Sequence, residues 1–157
     1  MAKVKSSLWM PNGRHIICDL DEHDFLLPNF QVYEIANMSS SAEIKLEIPD
    51  ALAWTFLTML QITRDKYGKM VMNSVYRTEE FNSRPEVGGD PNSCHLNCRA
   101  FDTPTAVAID WWRNLCREFH VIGAINLYDK YRHCEIGSDI NYGLTEFKVR
   151  DHRSKKI

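Results

Sequence analysis

Ser93-Cys94-His95-Leu96-Asn97-Cys98-Arg99-Ala100-Phe101-Asp102 sets an imidazole and a carboxylate seven positions apart, bracketing a turn. Further on, Tyr131-Arg132-His133-Cys134-Glu135 reads as a strand. There His133 and Glu135 share a face, because side chains alternate with period two. Imidazole and carboxylate both suit Zn²⁺, and three protein ligands with a fourth position open to water is the catalytic arrangement. By itself a His-x6-Asp spacing is weak, since such pairs match by chance. Asp102 also has a structural alternative, at the positive end of the helix expected to follow it.

Outward from these segments the chain alternates helical and extended patterns. Ala53, Phe56, Leu57, Leu60 and Tyr67 recur at helical spacing, which predicts a helix from Asp50 to Tyr67 stopped by Gly68. Lys69 to Ser74 alternates polar and apolar, as a half-buried strand does. Residues 79 to 94 lose all periodicity and carry Pro85, Gly88-Gly89 and Pro91, so a long functional loop is expected. A second helix is predicted directly after Asp102, with Thr103 as its cap and Pro104 in its first turn. Its buried stripe would be Val107, Ala108, Trp111, Leu115 and Phe119, leaving Trp112 half exposed. Val121 to Leu127 and Tyr131 to Ile136 read as strands. Near the start, Pro11-Asn12-Gly13 between Leu8-Trp9-Met10 and His15-Ile16-Ile17-Cys18 predicts a hairpin. Phe30 to Ile35 fits a strand or one helical turn equally well. The order predicts an α+β domain with a small central antiparallel sheet and flanking helices.

Taken together, Ser74-Val75-Tyr76-Arg77-Thr78, Asn82, Val87-Gly88-Gly89, Ser93-x-His95 and Ala100-x-Asp102 resemble the D-Ala-D-Ala carboxypeptidase-type zinc peptidases. That superfamily includes the VanX and VanY enzymes, phage endolysins and the hedgehog signalling domain. Its hallmark is Ser-x-His-x-x-Gly-x-Ala-x-Asp, preceded by Ser-x-Tyr-Arg-Thr and followed, past a helix, by a strand bearing a third ligand histidine. The matches run in family order from Ser74 to about Gly137, and His133-Cys134-Glu135 suits the small phage-type branch with a His-x-acid strand. The resemblance implies one Zn²⁺ held by His95, Asp102 and His133. It implies that Arg77 pairs with a substrate carboxylate or the developing oxyanion, and that Ser93, Tyr76 and Asn82 bind substrate. It further implies a hedgehog-like fold and hydrolysis of a D-amino-acid-containing bond in peptidoglycan stem peptides, as carboxypeptidase or endopeptidase.

Two departures from the family pattern stand out. Cys98 occupies the family's glycine position, where the backbone must avoid a glycine-only conformation or be strained. Lys130 stands where many relatives carry the catalytic acid, so Glu135, with Asp129 in reserve, is the expected general base. Other readings exist. Cys94, His95, Cys98 and Cys134 suggest a thiolate zinc site, and Cys94 or Cys134 a nucleophile. A family member that only binds peptidoglycan or a protein partner would also keep the pattern.

Bulk properties narrow the class. The chain has 157 residues, 44% apolar and 25% charged, with a net charge of -2. That suits one domain over 1–157, expected as a monomer, with residues 1–48 as an extension packed on it and 150–157 as a frayed basic tail. No large basic field recommends nucleic acid as a partner. No window approaches the ~20 apolar residues of a membrane span. Met1 to Lys5 has charge but no apolar run behind it, so synthesis in the cytoplasm without a signal peptide is expected, with action on the wall after release or assisted export. The five cysteines show no framework spacing and are expected as free thiols.

Overall fold

Alternating burial along the first strand shows how the N-terminal sheet forms. The computed structural model describes residues 3–36 and 44–154. Strand β1 (Lys3–Trp9) buries Val4, Ser6 and Leu8 and turns Lys3, Lys5 and Trp9 outward. It pairs antiparallel with β2 (His15–Asp21) through the expected Asn12-Gly13 hairpin, where Gly13 takes φ 86°. Its other edge pairs in parallel with β5 (Lys45–Ile48), whose Leu46 and Ile48 are buried. Between these, Phe25–Leu27 (β3) and Phe30–Gln31 (β4) form a small ribbon, and Val32–Ile35 makes one helical turn, α1. Both alternatives for Phe30 to Ile35 are therefore realised, one after the other.

Helix α2 (Ala51–Tyr67) lies where expected. Asp50 caps it by accepting from the Ala53 N–H at 2.8 Å, and Gly68, at φ 77°, ends it. Its Phe56 contacts both Phe101 and Trp112, at ring separations of 6.1 and 6.5 Å. Val4, Leu46, Phe56, Phe101 and Trp112 belong to one apolar core. The described residues before α2 thus contribute side chains such as Val4, Phe30, Ile35 and Leu46 to that core.

The second sheet carries the site. Its order is β6 (Ala100–Thr103), β8 (Arg132–Ile136), β7 (Gly123–Leu127), β9 (Lys148–Asp151). The first two pairings are antiparallel and the last is parallel, so the expected antiparallel sheet is mixed. Two short helices, α3 (Glu79–Asn82) and α5 (Ser138–Tyr142), complete the domain around helix α4 (Ile109–Glu118).

Three local expectations are corrected. The strand at Lys69 to Ser74 shrinks to a single bridge between Ser74 and Asp102. Strand β6 offers only four residues, and at Val71 the carbonyl takes the Thr103 hydroxyl at 2.7 Å instead of a ladder bond. Helix α4 starts at Ile109, not after Asp102, because Asp102 and Thr103 are consumed by β6. The Thr103 hydroxyl does bond a backbone N–H two residues on, that of Thr105 at 3.3 Å, but in a turn and not a helix cap. The chain end does not fray at residue 150: β9 pairs with β7, and Arg153 pairs with Asp151. Residues 155–157 of the basic tail lie outside the described residues.

The later helix start rotates the stripe of α4. Trp112, Leu115 and Cys116 are buried, while Ala108 is exposed and Trp111 half-buried. Trp112 donates its indole N–H to the Glu135 carbonyl at 3.1 Å and is no surface platform. Trp111 instead donates to the Thr63 hydroxyl at 3.0 Å. Trp112→Ala is expected to cost about 3–5 kcal/mol in urea unfolding, with Trp111→Ala costing clearly less. Equal losses, or the reverse order, would contradict this packing.

Candidate metal centre

Strand register brings the first two ligands together. Asp102 on β6 stands directly opposite His133 on β8, the close cross-strand neighbour on one face. His133 Nδ1 lies 2.8 Å from Asp102 Oδ1, and His133 Nε2 lies 2.9 Å from Glu135 Oε1. His95 arrives from a 3₁₀ turn over Cys94–Asn97, whose first turn Ser93 caps by accepting the His95 N–H at 3.2 Å. Ligand atoms of His95, Asp102 and His133 all lie within 4.8 Å of one another. Among the described residues, no cysteine joins a metal-ligating cluster.

The nitrogen chemistry of His95 shows what this cluster lacks. Its Nδ1 lies 2.7 Å from the Val75 carbonyl, which can only accept, so Nδ1 carries the proton. Burial holds His95 below its ordinary pKa and so favours the neutral ring, despite the pull of Asp102 upward. Nε2 then bears a lone pair, is fully buried and has no hydrogen-bond partner, although Asp102 Oδ1 is only 3.3 Å away. Two electron-pair donors aimed at one spot call for a cation. His133 supports this reading. Burial alone would lower its pKa, but Asp102 and Glu135 at its two nitrogens carry it up to about 9. A metal at Nδ1 would replace that extra proton, leaving Nε2–H on Glu135. The donor set fits Zn²⁺.

Neighbouring groups hold the ligands in place. Arg77 donates from Nη2 to Asp102 Oδ2 at 3.1 Å, from Nε to Ser74 Oγ at 2.9 Å and from Nη1 to Asn82 Oδ1 at 3.4 Å. Burial would raise the Asp102 pKa, yet His95 and His133 hold it far below the carboxylate range. Glu135 is buried and receives four donors. His133 and Arg150 reach Oε1, while the Ser138 hydroxyl at 2.5 Å and the Cys94 thiol at 3.5 Å reach Oε2. Burial works against its charge, but these partners bring its pKa down to about 2. A carboxylate so saturated is a poor proton acceptor. Its geometry is that of a group that orients a ligand histidine.

The other expected residues fall on both sides of the line. Ser93, Arg77, His95, Asp102, His133 and Glu135 line one cavity of about 500 Å³. Tyr76, with Arg77 and Ser93, lines an adjoining cleft of about 730 Å³. Asn82 lines neither: it is buried, bonding Arg77 and donating to the Asp90 carbonyl at 2.8 Å, so it pins the loop instead of meeting substrate. A Cβ at Gly89 would come 1.9 Å from Asn82 Oδ1, which is why the loop needs glycine there. Asp129 is absent from the cavity, its carboxylate taken by Ser154 at 2.8 and 3.0 Å. His120 is exposed at the end of α4, away from the cluster. Arg150, Asn126 and Tyr142 line the cavity without having been anticipated. They lie beyond or between the motif residues, and only sheet pairing reveals them.

Cys94, Cys98 and Cys134 are buried as free thiols. Burial raises the pKa of Cys94 and Cys134 and pushes that of Cys98 up to about 12, which disfavours thiolate ligation or nucleophilic attack. Cys98, at the position where the family pattern has glycine, adopts a left-handed conformation with φ 56° and ψ 48° while burying its side chain completely. Strain of about 1 kcal/mol therefore opposes a burial gain of similar size. Cys98→Gly is expected to change thermal stability by no more than about 1 kcal/mol. Cys98→Val, branched at a positive φ and overpacked, should lose about 2 kcal/mol or more.

No curated protein and no solved structure matches the chain. The family model for Peptidase M15 matches residues 28–135, more than half of the sequence, and this interval contains His95, Asp102 and His133. The chain belongs to the peptidase M15 family, that of the VanY and D-Ala-D-Ala carboxypeptidase-like zinc peptidases.

Proposed function

We propose that the protein is a zinc-dependent peptidase that hydrolyses a D-amino-acid-containing bond of peptidoglycan stem peptides, with the metal on His95, Asp102 and His133. The observation that carries this reading is the orphaned His95 Nε2, aimed at the carboxylate oxygen that His133 also approaches. Bound zinc supplies Lewis acidity toward a carbonyl and lowers the pKa of water. The chain's own groups set the stage for that chemistry. The Val75 carbonyl selects the His95 tautomer. Arg77 occupies Oδ2 of Asp102, so Oδ1 is the oxygen that would be left to hold a metal. Glu135 keeps the proton of His133 at Nε2 and directs Nδ1 inward. Ser93 stands where the 500 and 730 Å³ spaces meet, placed to contact an extended peptide lying across both.

One observation favours a second reading, in which the protein binds peptidoglycan or a partner without cutting it. Of the two carboxylates expected to act as base, Glu135 is saturated with donors and Asp129 bonds Ser154 away from the cavity lining. Turnover separates the two.

Purified protein should carry about one zinc per chain by elemental analysis, lost in His95→Ala and kept in Cys98→Ala. Retention of zinc by His95→Ala would remove the site. The metal-free protein holds a proton on His133 up to about pH 9, and zinc must displace it. Zinc affinity should therefore rise about tenfold per pH unit from 7 toward 9 and then level off. The same shift makes this group's contribution to metal-free stability full below about 6.5 and lost as pH climbs through about 9.

Zinc-loaded protein should release D-alanine or cut at a D-residue in stem peptides and leave the all-L peptide intact. Chelation should abolish this while the fold persists, since the apolar core does not include the metal ligands. Glu135→Gln should weaken zinc binding about 10- to 100-fold if Glu135 orients His133. Unchanged zinc affinity with lost turnover would make it the base instead.

A further inference from the structure

Arg150 stands on β9, beyond the residues that match the family, and the parallel register with β7 sets it beside Asn126. Both protons of its Nη1 are engaged, by Asn126 Oδ1 at 3.0 Å and Glu135 Oε1 at 3.2 Å. Its guanidinium lies over the Tyr142 ring, 5.3 Å from the centroid, which fixes the plane. Its Nε and Nη2 make no hydrogen bond among the described residues, yet the side chain is 21% exposed and lines the cavity of the metal ligands. Arg77 differs in that every one of its three nitrogens already donates to Ser74, Asn82 or Asp102. Arg77 thus keeps two N–H groups, on nitrogens already tied to Asn82 and Asp102, whereas Arg150 keeps three, the Nε–H and both on the neighbouring Nη2. Of the cavity's carboxylates, Asp102 and Glu135 are paired, and Asp90 accepts the Asn92 N–H at 2.7 Å.

We propose that Arg150, not Arg77, binds the terminal carboxylate of the peptide substrate, which makes the enzyme a carboxypeptidase. The proposal rests on the peptidase reading above and narrows it. A guanidinium edge with adjacent free donors matches a carboxylate bidentately. Its distance from the cluster suits that role as well. A chain of hydrogen bonds runs from Asp102 Oδ1 through the His133 ring and Glu135 Oε1 to Arg150. That is within about three residues of extended peptide, at roughly 3.3–3.6 Å each, so a chain end held by Arg150 lies close to the bond presented to the metal. Arg150 also touches Glu135, so a purely positioning role must be separated from carboxylate binding.

The test uses the full-length zinc-loaded protein and one peptide ending in D-Ala-D-Ala, as the free acid and as the C-terminal amide. Wild type is expected to favour the acid by roughly ten- to a hundredfold in kcat/KM. Arg150→Gln should erase that preference, mainly through a higher KM for the acid, and Arg150→Lys should restore part of it. Equal cleavage of acid and amide by wild type would overturn the proposal. So would a fall in kcat on both peptides alike in Arg150→Gln with the preference intact, the signature of Glu135 positioning alone. Calorimetric binding of both peptides covers the case without turnover. No cleavage of either sinks the peptidase reading, while tighter binding of the acid, lost in Arg150→Gln, still supports the carboxylate role, and equal binding rejects it. Should Arg150→Gln fail to fold, as judged by circular dichroism, the wild-type comparison and Arg150→Lys decide.

Discussion

A buried carboxylate, Asp102, is the constraint on which the rest of the site depends. Removing such a charge from water costs several kcal/mol unless it is paired and hydrogen-bonded. Asp102 is 7% exposed, and its partners come from three separate stretches of chain. Arg77 takes one oxygen, while His133 and His95 converge on the other. Its backbone is engaged too, exchanging hydrogen bonds with residues 73 and 74 and pairing with β8. The short bridge and the register of β6 against β8 are conditions for keeping that anion satisfied, while the turn that delivers His95 sets a second electron-pair donor beside it.

A second layer carries this order outward. Glu135 fixes one end of His133 and is itself fixed by Ser138, Arg150 and Cys94, while its carbonyl receives the Trp112 indole. Helix α4 is thereby tied to the strand that presents the ligand. Gly123 permits this closeness, since a Cβ there would meet the Glu135 carbonyl at 2.5 Å and the Cys116 sulfur at 2.6 Å. The family match ends at residue 135, yet Ser138, Tyr142 and Arg150 all bear on the site. The part of the chain after the motifs thus braces Glu135 and brings a second arginine to the cavity.

Local signals were legible where a residue's role is decided by its neighbours in sequence. Asp50 and Gly68 bound α2 because a cap and a stop act within one turn. Asn12-Gly13 made its hairpin for the same reason, and His133 and Glu135 share a face because strand side chains alternate. Thr103-Pro104 misled, because a helix-start signature and a turn after a strand use the same hydroxyl-to-backbone bond. Pairing of β6 with β8 decided between them. Val107 and Leu115 are buried as the stripe required, but Trp112 and Cys116 replaced Ala108 and Trp111 in the buried set.

By itself, the sequence singled out His95, Asp102 and His133 through its resemblance to the peptidase family, and the fold brings these three together as a group that could hold a metal; at Cys98, where the family pattern has glycine, the backbone takes a positive φ of 56°. Tertiary structure alone decided what surrounds the ligands. Whether Glu135 accepts protons or orients His133 depends on how many donors reach it, and those come from residues 94, 133, 138 and 150. Whether Arg77 or Arg150 has donors to spare depends on contacts between segments far apart in the chain. A hydrogen bond is specific only at about 3 Å, and no spacing along a sequence sets a distance across a fold.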